Sequence, residues 1–288
     1  MKQYIVDENP YEGIYVDLTS KCNMKCTYCY NPDRTPYEMS LDYFKEMCLR
    51  LPKPVYMRFL GGEPALHPEF FSFIVTAKKA GHHVYFSSNG LVFNDKVFVE
   101  ELAELQKEFS FAPGITMDGG YTGRSTYEQM NGSDCLEQKI NGLLNLIEAG
   151  VKRITLSSII TRDVNEFVIP ELIGLAKEFE KNIRYVHFRT AAMVGRWADT
   201  ESYTLPELKE LVRPHFLPLD FLPRCINEIH CPPKEMKTCC YRFHPTRRLQ
   251  VSLIEFATKK SAKCSKRGKL LPEGFLLEPF FENMMENG

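Results

Sequence analysis

The feature that most constrains the fold is the alternation of short β-rich runs with longer helical segments up to about residue 213. Runs rich in β-branched and aromatic residues predict strands, and apolar residues at a period of 3.6 predict helices. The predicted strands are 13–18, 55–60, 83–88, 111–117, 153–159 and 184–189. The predicted helices are 40–51, 68–80, 94–109, 134–149, 165–180 and 205–212.

Six successive strand–helix units predict an α/β fold with a parallel sheet and helices outside it. The mostly apolar run 55–60 favours a sheet that is buried on both faces. Ser40 and Asn165 are the expected N-caps of two helices, and Gly81 and Gly150 are expected to end two others. Pattern alone leaves open a doubly wound sheet or a partial barrel, and both collect functional groups at the carboxyl ends of the strands.

Charge and cysteine content narrow the function. The chain has 36 basic and 37 acidic residues among 288, a balance that gives no electrostatic footprint for nucleic acid or an anionic membrane. No apolar run approaches the roughly 18 residues that span a bilayer, and the N-terminus lacks the apolar core of a signal peptide. We therefore expect a cytoplasmic protein, with neither nucleic acid nor membrane as partner. In that reducing compartment, ten cysteines indicate metal binding or chemistry more than disulfides.

Three of these cysteines lie in the loop after the first predicted strand. Cys22, Cys26 and Cys29 have the spacing C-x3-C-x2-C, and such closely spaced thiolates favour a soft metal or an iron–sulfur cluster. The loop has no fourth Cys or His ligand, so one metal position stays open, as a catalytic centre requires. The alternative is a zinc loop that a distant ligand completes.

This loop resembles the signature of the radical S-adenosylmethionine (SAM) enzymes. The resemblance implies a [4Fe–4S] cluster on the three cysteines, with its fourth iron chelated by the amino and carboxylate groups of SAM. Tyr28 stands before the last cysteine, where the family places an aromatic residue against the adenine. The implied architecture is a partial (β/α)6 TIM-like barrel over residues 1–213, followed by a small cysteine-rich extension over residues 214–288.

The second predicted strand ends in Gly61-Gly62-Glu63-Pro64. The family carries the same GGEP motif at this point, so the resemblance implies contact with the methionine amino group of SAM. Glycines also let the backbone come close to a ligand. The other reading is a tight strand-to-helix turn with a solvated Glu63.

Polar residues end the remaining predicted strands. The resemblance implies that Ser88 and Asn89 border the SAM ribose or methionine moiety, and that Asp118 and Ser158 lie near the ribose. It makes Arg189 a candidate for the SAM carboxylate or for an anionic group of the substrate. A turn before a helix, a capping carboxylate and an arginine at the sheet edge are the respective alternatives.

A second group of cysteines lies in the proline-rich C-terminal region. The expected ligands of an auxiliary metal centre are Cys225, Cys231, Cys239 and Cys264, with Cys240 as the alternative to Cys239. Some radical SAM enzymes carry such an extension, called twitch when it holds one auxiliary [4Fe–4S] cluster and SPASM when it holds two. The resemblance therefore implies a second cluster, although the SPASM spacing is absent and structural zinc is the alternative. Cys240 is a candidate hydrogen-atom donor.

The remaining strand and the remaining cysteines are expected to have structural roles. A strand at 248–256 is expected to begin a hairpin that ends near Cys264. Cys48 and Cys135 fall in helical segments and are expected to be buried core residues.

The function implied by the resemblance is reductive cleavage of SAM to a 5′-deoxyadenosyl radical. That radical would abstract hydrogen from an unactivated carbon of a peptide or small metabolite, with an electron donor such as flavodoxin or ferredoxin. The absence of a separate leader-peptide-binding domain weakens the case for a peptide, and the reaction outcome stays open. The alternative is a non-catalytic cysteine-rich zinc scaffold or partner-binding protein, which would not need the strand-end motifs.

Overall fold

The computed structural model describes residues 13–29, 32, 35–191, 202–215, 222–224, 240–255, 268–271 and 274–276. All strands in these residues belong to one sheet. Within the same residues, no helix is both long and apolar enough to cross a lipid bilayer.

The strands are β1 (Gly13–Thr19), β2 (Tyr56–Gly61), β3 (His83–Ser88), β4 (Ala112–Thr116), β5 (Ile154–Ile160), β6 (Ile183–Thr190), β7 (Leu222–Arg224), β8 (Cys240–Phe243), β9 (Gln250–Ile254), β10 (Gly268–Leu271) and β11 (Gly274–Leu276). The α-helices are α1 (Leu41–Arg50), α2 (Phe70–Lys79), α3 (Lys96–Glu108), α4 (Arg124–Asn131), α5 (Leu136–Glu148), α6 (Val168–Glu178) and α7 (Leu205–Val212). Short 3-10 helices cover Pro64–Leu66, Leu91–Asn94 and Arg213–His215.

The strand order across the sheet is β11-β10-β1-β2-β3-β4-β5-β6-β9-β8-β7. The eight strands from β10 to β9 are parallel, and antiparallel strands lie outside them at both edges. Strands β1 to β6 follow chain order without the reversal that defines a doubly wound sheet. The α/β class is therefore confirmed, and the arrangement is that of a partial barrel.

The two faces of the sheet differ in character. Alternate side chains such as Met57, Phe59, Val186 and Phe188 are buried in the apolar core that contains the helices. On the other face Arg58 is half-buried, whereas Asp17, Ser157 and Ser252 are buried. The helix side of the sheet is therefore buried throughout, and burial of the other face is complete at some strands and partial at others, as in the run 55–60.

Most of the expected helix ends are present. The Ser40 hydroxyl accepts the Tyr43 N–H at 3.4 Å as the N-cap of α1. Gly81 and Gly150 both adopt positive φ immediately after α2 and α5. These positions confirm the two glycine stops.

The expected N-cap at Asn165 is wrong, because α6 begins three residues later. The Asn165 side chain is fully buried and accepts the Thr161 N–H at 2.7 Å. Its amide group donates to the carbonyl oxygens of Asp118 at 2.9 Å and Ile159 at 2.8 Å. Buried backbone carbonyls require hydrogen-bond donors, and Asn165 supplies them to two strand ends instead of capping the helix.

The C-terminal region joins the same sheet at both edges. The strand predicted at 248–256 is β9, which pairs with β6 in parallel and with the preceding β8 in antiparallel orientation. The far end of the expected hairpin, near Cys264, lies outside the described residues. The domain boundary at residue 213 stays a prediction.

We expect Gly150→Ala to lower Tm by about 2–4 °C, from the roughly 1 kcal/mol that a left-handed conformation costs a residue with a Cβ. Gly150 has φ +77° and open space around an added Cβ, so only backbone strain acts. The control is Gly174→Ala within α6, because a Cβ added at position 174 also meets open space. It should raise stability by about 0.5–1 kcal/mol, because alanine favours a helix. Thermal unfolding of both variants is the measurement, and equal shifts of one sign would contradict the expectation.

Candidate cofactor site at the carboxyl ends of the strands

The cysteine loop follows β1 at the carboxyl edge of the sheet, as expected. Cys22 is exposed, Cys26 and Cys29 are half-buried, and none of the three is in a disulfide. Among the described residues, no group of three Cys, His, Asp or Glu side chains is arranged to hold a metal ion. The chemistry of the donor set nevertheless fits an iron–sulfur cluster, because one loop presents three thiols with no carboxylate among the residues between them.

The GGEP turn holds the first part of this loop through the backbone. The Gly62 N–H donates to the Thr19 carbonyl at 2.6 Å, and the Glu63 N–H donates to the Lys21 carbonyl at 2.7 Å. Gly61 has φ +127°, and a Cβ there would lie well inside van der Waals contact with the Thr19 carbonyl oxygen. Glycine at position 61 therefore permits the contact between β2 and the cysteine loop.

Glu63 is buried, so the alternative of a solvated Glu63 is wrong. Its carboxylate accepts the Asn89 N–H at 2.7 Å and the Ala65 N–H at 3.3 Å. Burial raises the pKa of Glu63 to about 7, and these hydrogen bonds oppose the rise. The site thus holds a carboxyl group that titrates near neutral pH.

The third strand end forms a turn and also contacts the cysteine loop. The Asn89 Oδ1 accepts the Leu91 N–H at 3.0 Å, and the Ser88 hydroxyl accepts the Gly90 N–H at 2.9 Å. The Asn89 Nδ2 donates to Asn23 Oδ1 at 2.7 Å. A turn at this point is therefore present, and the predicted contact of Ser88 and Asn89 with SAM stays a prediction.

Asp118 joins three strand ends. It is fully buried, and its carboxylate accepts the Ile159 N–H at 3.0 Å and the Ser158 hydroxyl at 3.4 Å. The Tyr28 hydroxyl also donates to it. Burial raises the pKa of Tyr28 well above its usual value, and the charge of Asp118 adds to the rise. Tyr28 is therefore a protonated donor, held between the cysteine loop and the end of β4.

Sequence reasoning missed Asn131, at the end of the unpredicted helix α4. Its Nδ2 lies 2.9 Å from the Tyr28 hydroxyl, 3.2 Å from Asp118 Oδ2 and 3.4 Å from Cys26 Sγ. Burial raises the pKa of Cys26, and the hydrogen bond from Asn131 lowers it. The signal for α4 was the Asn131-Gly132 pair, since Gly132 takes the positive φ of a helix terminus.

Two further contacts place α4 and α5 against the site. The Thr27 N–H donates to the Met130 carbonyl at 2.9 Å, which ties the cysteine loop to the end of α4. Lys139 on α5 is fully buried, and its Nζ donates to the Thr116 carbonyl at 2.7 Å and lies 5.5 Å from the centre of the Tyr127 ring. A lysine in an amphipathic helix is usually exposed to solvent, so the sequence alone assigns no role to Lys139.

The remaining predicted residues lie elsewhere. Among the described contacts, Arg189 takes no part in the Asp118 network. Burial, and then the charge of Arg58, lower the pKa of Arg189 to about 10. Cys240 is buried in β8, and Cys48 and Cys135 are buried as expected. The four expected ligands of the auxiliary centre, Cys225, Cys231, Cys239 and Cys264, lie outside the described residues.

Comparison with protein families gives a match to the model of the Radical SAM superfamily over residues 16–176. GTP 3′,8-cyclase of Chlorobaculum tepidum is 25% identical over 182 residues, which cover 61% of this chain and 53% of that protein. Mycofactocin maturase MftC of Mycobacterium tuberculosis is 27% identical over 190 residues, which cover 64% of this chain and 46% of that protein. The chain thus spans about half the length of these relatives.

Solved structures show the same fold. SuiB of Streptococcus suis bound to S-adenosylmethionine has a TM-score of 0.64 at 12% identity, covering 92% of this chain and 59% of that chain. SuiB bound to the precursor peptide SuiA has a TM-score of 0.59 at 14% identity, covering 70% of this chain and 45% of that chain. These likenesses confirm the predicted partial barrel.

We expect Gly61→Ala to lower the free energy of unfolding by about 2–4 kcal/mol, because it adds a steric clash to the strain of positive φ. The displaced turn should also reduce the iron bound after anaerobic reconstitution. Gly150→Ala is the matched control, since it carries positive φ without a clash. Equal losses of stability and iron in the two variants would refute the role given to the Thr19 contact.

The raised pKa of Glu63 gives a pH dependence with a defined sign. Between pH 4.5 and 7 the unfolded chain releases the Glu63 proton while the folded chain keeps it, so the free energy of unfolding falls as pH rises. The expected loss is about 3 kcal/mol, at 1.36 kcal/mol per pKa unit. Glu63→Gln cannot titrate, so the wild-type-minus-variant difference should fall over this range in urea unfolding. A difference independent of pH would contradict the burial argument.

Proposed function

The chain belongs to the radical SAM superfamily, and we propose that it reductively cleaves SAM, at a [4Fe–4S] cluster, to a 5′-deoxyadenosyl radical that abstracts hydrogen from an unactivated carbon. The observation that carries this proposal is the position of the cysteine loop. It lies at the carboxyl edge of the barrel, against the GGEP turn on one side and Asn131 on the other.

We propose Cys22, Cys26 and Cys29 as the cluster ligands, with the fourth iron left for SAM. Ligand thiols must be deprotonated to bind. Asn131 supports this, because its amide N–H donates to Cys26 Sγ and thereby favours the thiolate over the thiol. The Asn131 Oδ1 is buried and has no hydrogen-bond partner in the described residues, so the group is held in place by its donor side alone.

We propose the turn Gly61-Gly62-Glu63-Pro64 for the methionine end of SAM. A buried carboxyl group gains most from a cationic donor, because the charge of the partner offsets the cost of desolvation. The ammonium group of SAM has this character, and bound beside Glu63 it would lower the pKa of Glu63 and fix its charged form. Ser88 and Asn89 adjoin Glu63 and complete this side of the site.

We propose the Asp118 network for the nucleoside end of SAM. Asp118 and Ser158 supply an acceptor and a hydroxyl for the ribose, while the protonated Tyr28 provides an aromatic face for the adenine. Asn131 and the Ile159 N–H hold the Asp118 carboxylate from two sides. The network therefore orients the nucleoside with groups that are already fixed in the protein.

The substrate class that we propose is a peptide or small metabolite, with a flavodoxin- or ferredoxin-like protein as electron donor. Relatives named for a mycofactocin maturase and for SuiB with its precursor peptide favour a peptide. The name GTP 3′,8-cyclase favours a small molecule. A polar, partly water-accessible barrel interior accommodates a polar group of either class.

We also propose roles for the C-terminal cysteines. Cys240 pairs in register with Ile254, which pairs with Arg189, so it lies in a row that crosses the inner face of the sheet. That position suits a hydrogen-atom donor to a substrate radical inside the barrel. Cys225, Cys231, Cys239 and Cys264 are proposed as ligands of an auxiliary cluster.

The test is anaerobic reconstitution followed by reduction with dithionite in the presence of SAM. Wild-type protein should bind iron and sulfide and release 5′-deoxyadenosine, and Cys26→Ala should lose both properties because two thiolates remain. Cys48→Ala is the matched control, since Cys48 is buried in α1 and distant from the loop in sequence. Equal yields of 5′-deoxyadenosine from the Cys26 and Cys48 variants would exclude the proposal. Zinc without iron in the wild-type protein would instead support the metal scaffold.

A further inference from the structure

The inner face of the sheet, turned away from the helices, carries a group of basic and hydroxyl side chains. Register places Arg58 on β2 beside Tyr85 on β3, and His187 on β6 in the same row as Arg242 on β8. Arg189 lies two residues beyond His187 on β6 and so faces the same side. Three arginines and a histidine thus point into one interior from strands at opposite sides of the sheet.

These groups are close enough to act on one another electrostatically. The pKa of His187 is lowered well below its usual value, first by burial and then by the charges of Arg189, Arg58 and Arg242. Strands β2 and β6 are separated by three strands in the sheet order. Their side chains come together only because the sheet curves into a barrel, so the basic groups surround a common space.

The described partners of this group are largely neutral. The Arg58 Nη2 donates to the Ser87 hydroxyl at 2.9 Å, and its guanidinium lies 4.9 Å from the centre of the Tyr85 ring. In the described residues, the buried Nε atoms of Arg58 and Arg242 and Nδ1 of His187 have no hydrogen-bond partner. A buried cation without a counter-charge is costly. Within the described residues, Arg58, Arg242 and His187 therefore have donor capacity left for an anion.

One carboxylate among the described residues lies on the same face of the sheet. Asp17 is the carboxylate on the inner face of β1, and it is not among the charges that shift the pKa of His187 or Arg189. Arg58 and His187 also keep partial exposure, whereas Phe188 on the helix side has none. A ligand can therefore reach these groups from the interior of the barrel.

We propose that Arg58, Arg189 and Arg242, with His187, form a subsite for an oxyanion of the substrate, a carboxylate or a phosphate. Guanidinium groups bind such oxyanions through paired, charge-assisted hydrogen bonds. Arg58 precedes Gly61 by three residues and so lies about 10 Å below the carboxyl edge, whereas Arg189 is one residue from the end of β6. The subsite therefore extends from within the barrel towards that edge. The rest of the substrate would extend upward from this anchor to the cofactor site.

The assignment of the anion to a substrate rests on the proposed function, but the binding of an anion does not. The test is the Tm of the reconstituted full chain, titrated with inorganic phosphate or with succinate against chloride at matched ionic strength. Wild-type protein should show a saturable rise with at least one of the two probes. Tighter phosphate binding would indicate a phosphorylated substrate, and tighter succinate binding a carboxylate.

Arg58→Gln and Arg242→Gln should each weaken binding of the preferred probe by about tenfold or more, the scale of one charge-assisted hydrogen bond. Arg58→Lys keeps the charge without the planar fork and should lose less. Arg213→Gln is the control, because it removes the same charge at an exposed position after α7 and should bind like wild type. Circular dichroism of each variant verifies folding.

Two outcomes would overturn the subsite: no saturable rise above chloride in the wild-type protein, or glutamine variants that bind as tightly as the Arg213 control. The yield of 5′-deoxyadenosine from wild-type protein is read separately. Anion binding without SAM cleavage would count against the proposed function alone. SAM cleavage without anion binding would count against the subsite alone.

Discussion

The structure depends on the two-residue period of its parallel strands. On one side of each strand, side chains such as Phe59 and Val186 pack into the apolar core with the helices. On the other side, Arg58 and His187 face the interior of the barrel and stay half-buried. Burial of the apolar side supplies the main folding free energy. The inner side is therefore available for binding, and a shift of one residue in register would exchange the two.

The cysteine loop is positioned by its neighbours more than by its own sequence. Backbone hydrogen bonds from the GGEP turn hold its start, Asn89 contacts it through Asn23, and the end of α4 holds it through Thr27. Each such bond contributes only about 1 kcal/mol net. Together they connect the loop to β2, β3 and α4, so the geometry of the thiols depends on three separate strand or helix ends.

The six strands of the barrel and the place of the cysteine loop followed from local patterns, because apolar periodicity and turn residues are local properties. What those patterns missed depends on tertiary contacts. Asn165 looks like a helix cap but fills the donor needs of buried carbonyls, and Lys139 looks solvated but lies against Thr116. Helix α4 has only eight residues and few of them are apolar, so it gives little signal for a helix. The inward direction of Arg58 depended on strand register, which a single run of sequence does not reveal.

The pairing of β1 with β10 has a consequence for how the protein is made. Leu270 pairs with Val16 roughly 250 residues earlier in the chain, and closing so long a loop is slow because its entropy is lost before contacts compensate. During synthesis the first strand leaves the ribosome with one edge unpaired, and that edge stays open until nearly all of these residues have followed. Among the described strands, the one that leads into the cysteine loop is thus among the last to have both neighbours.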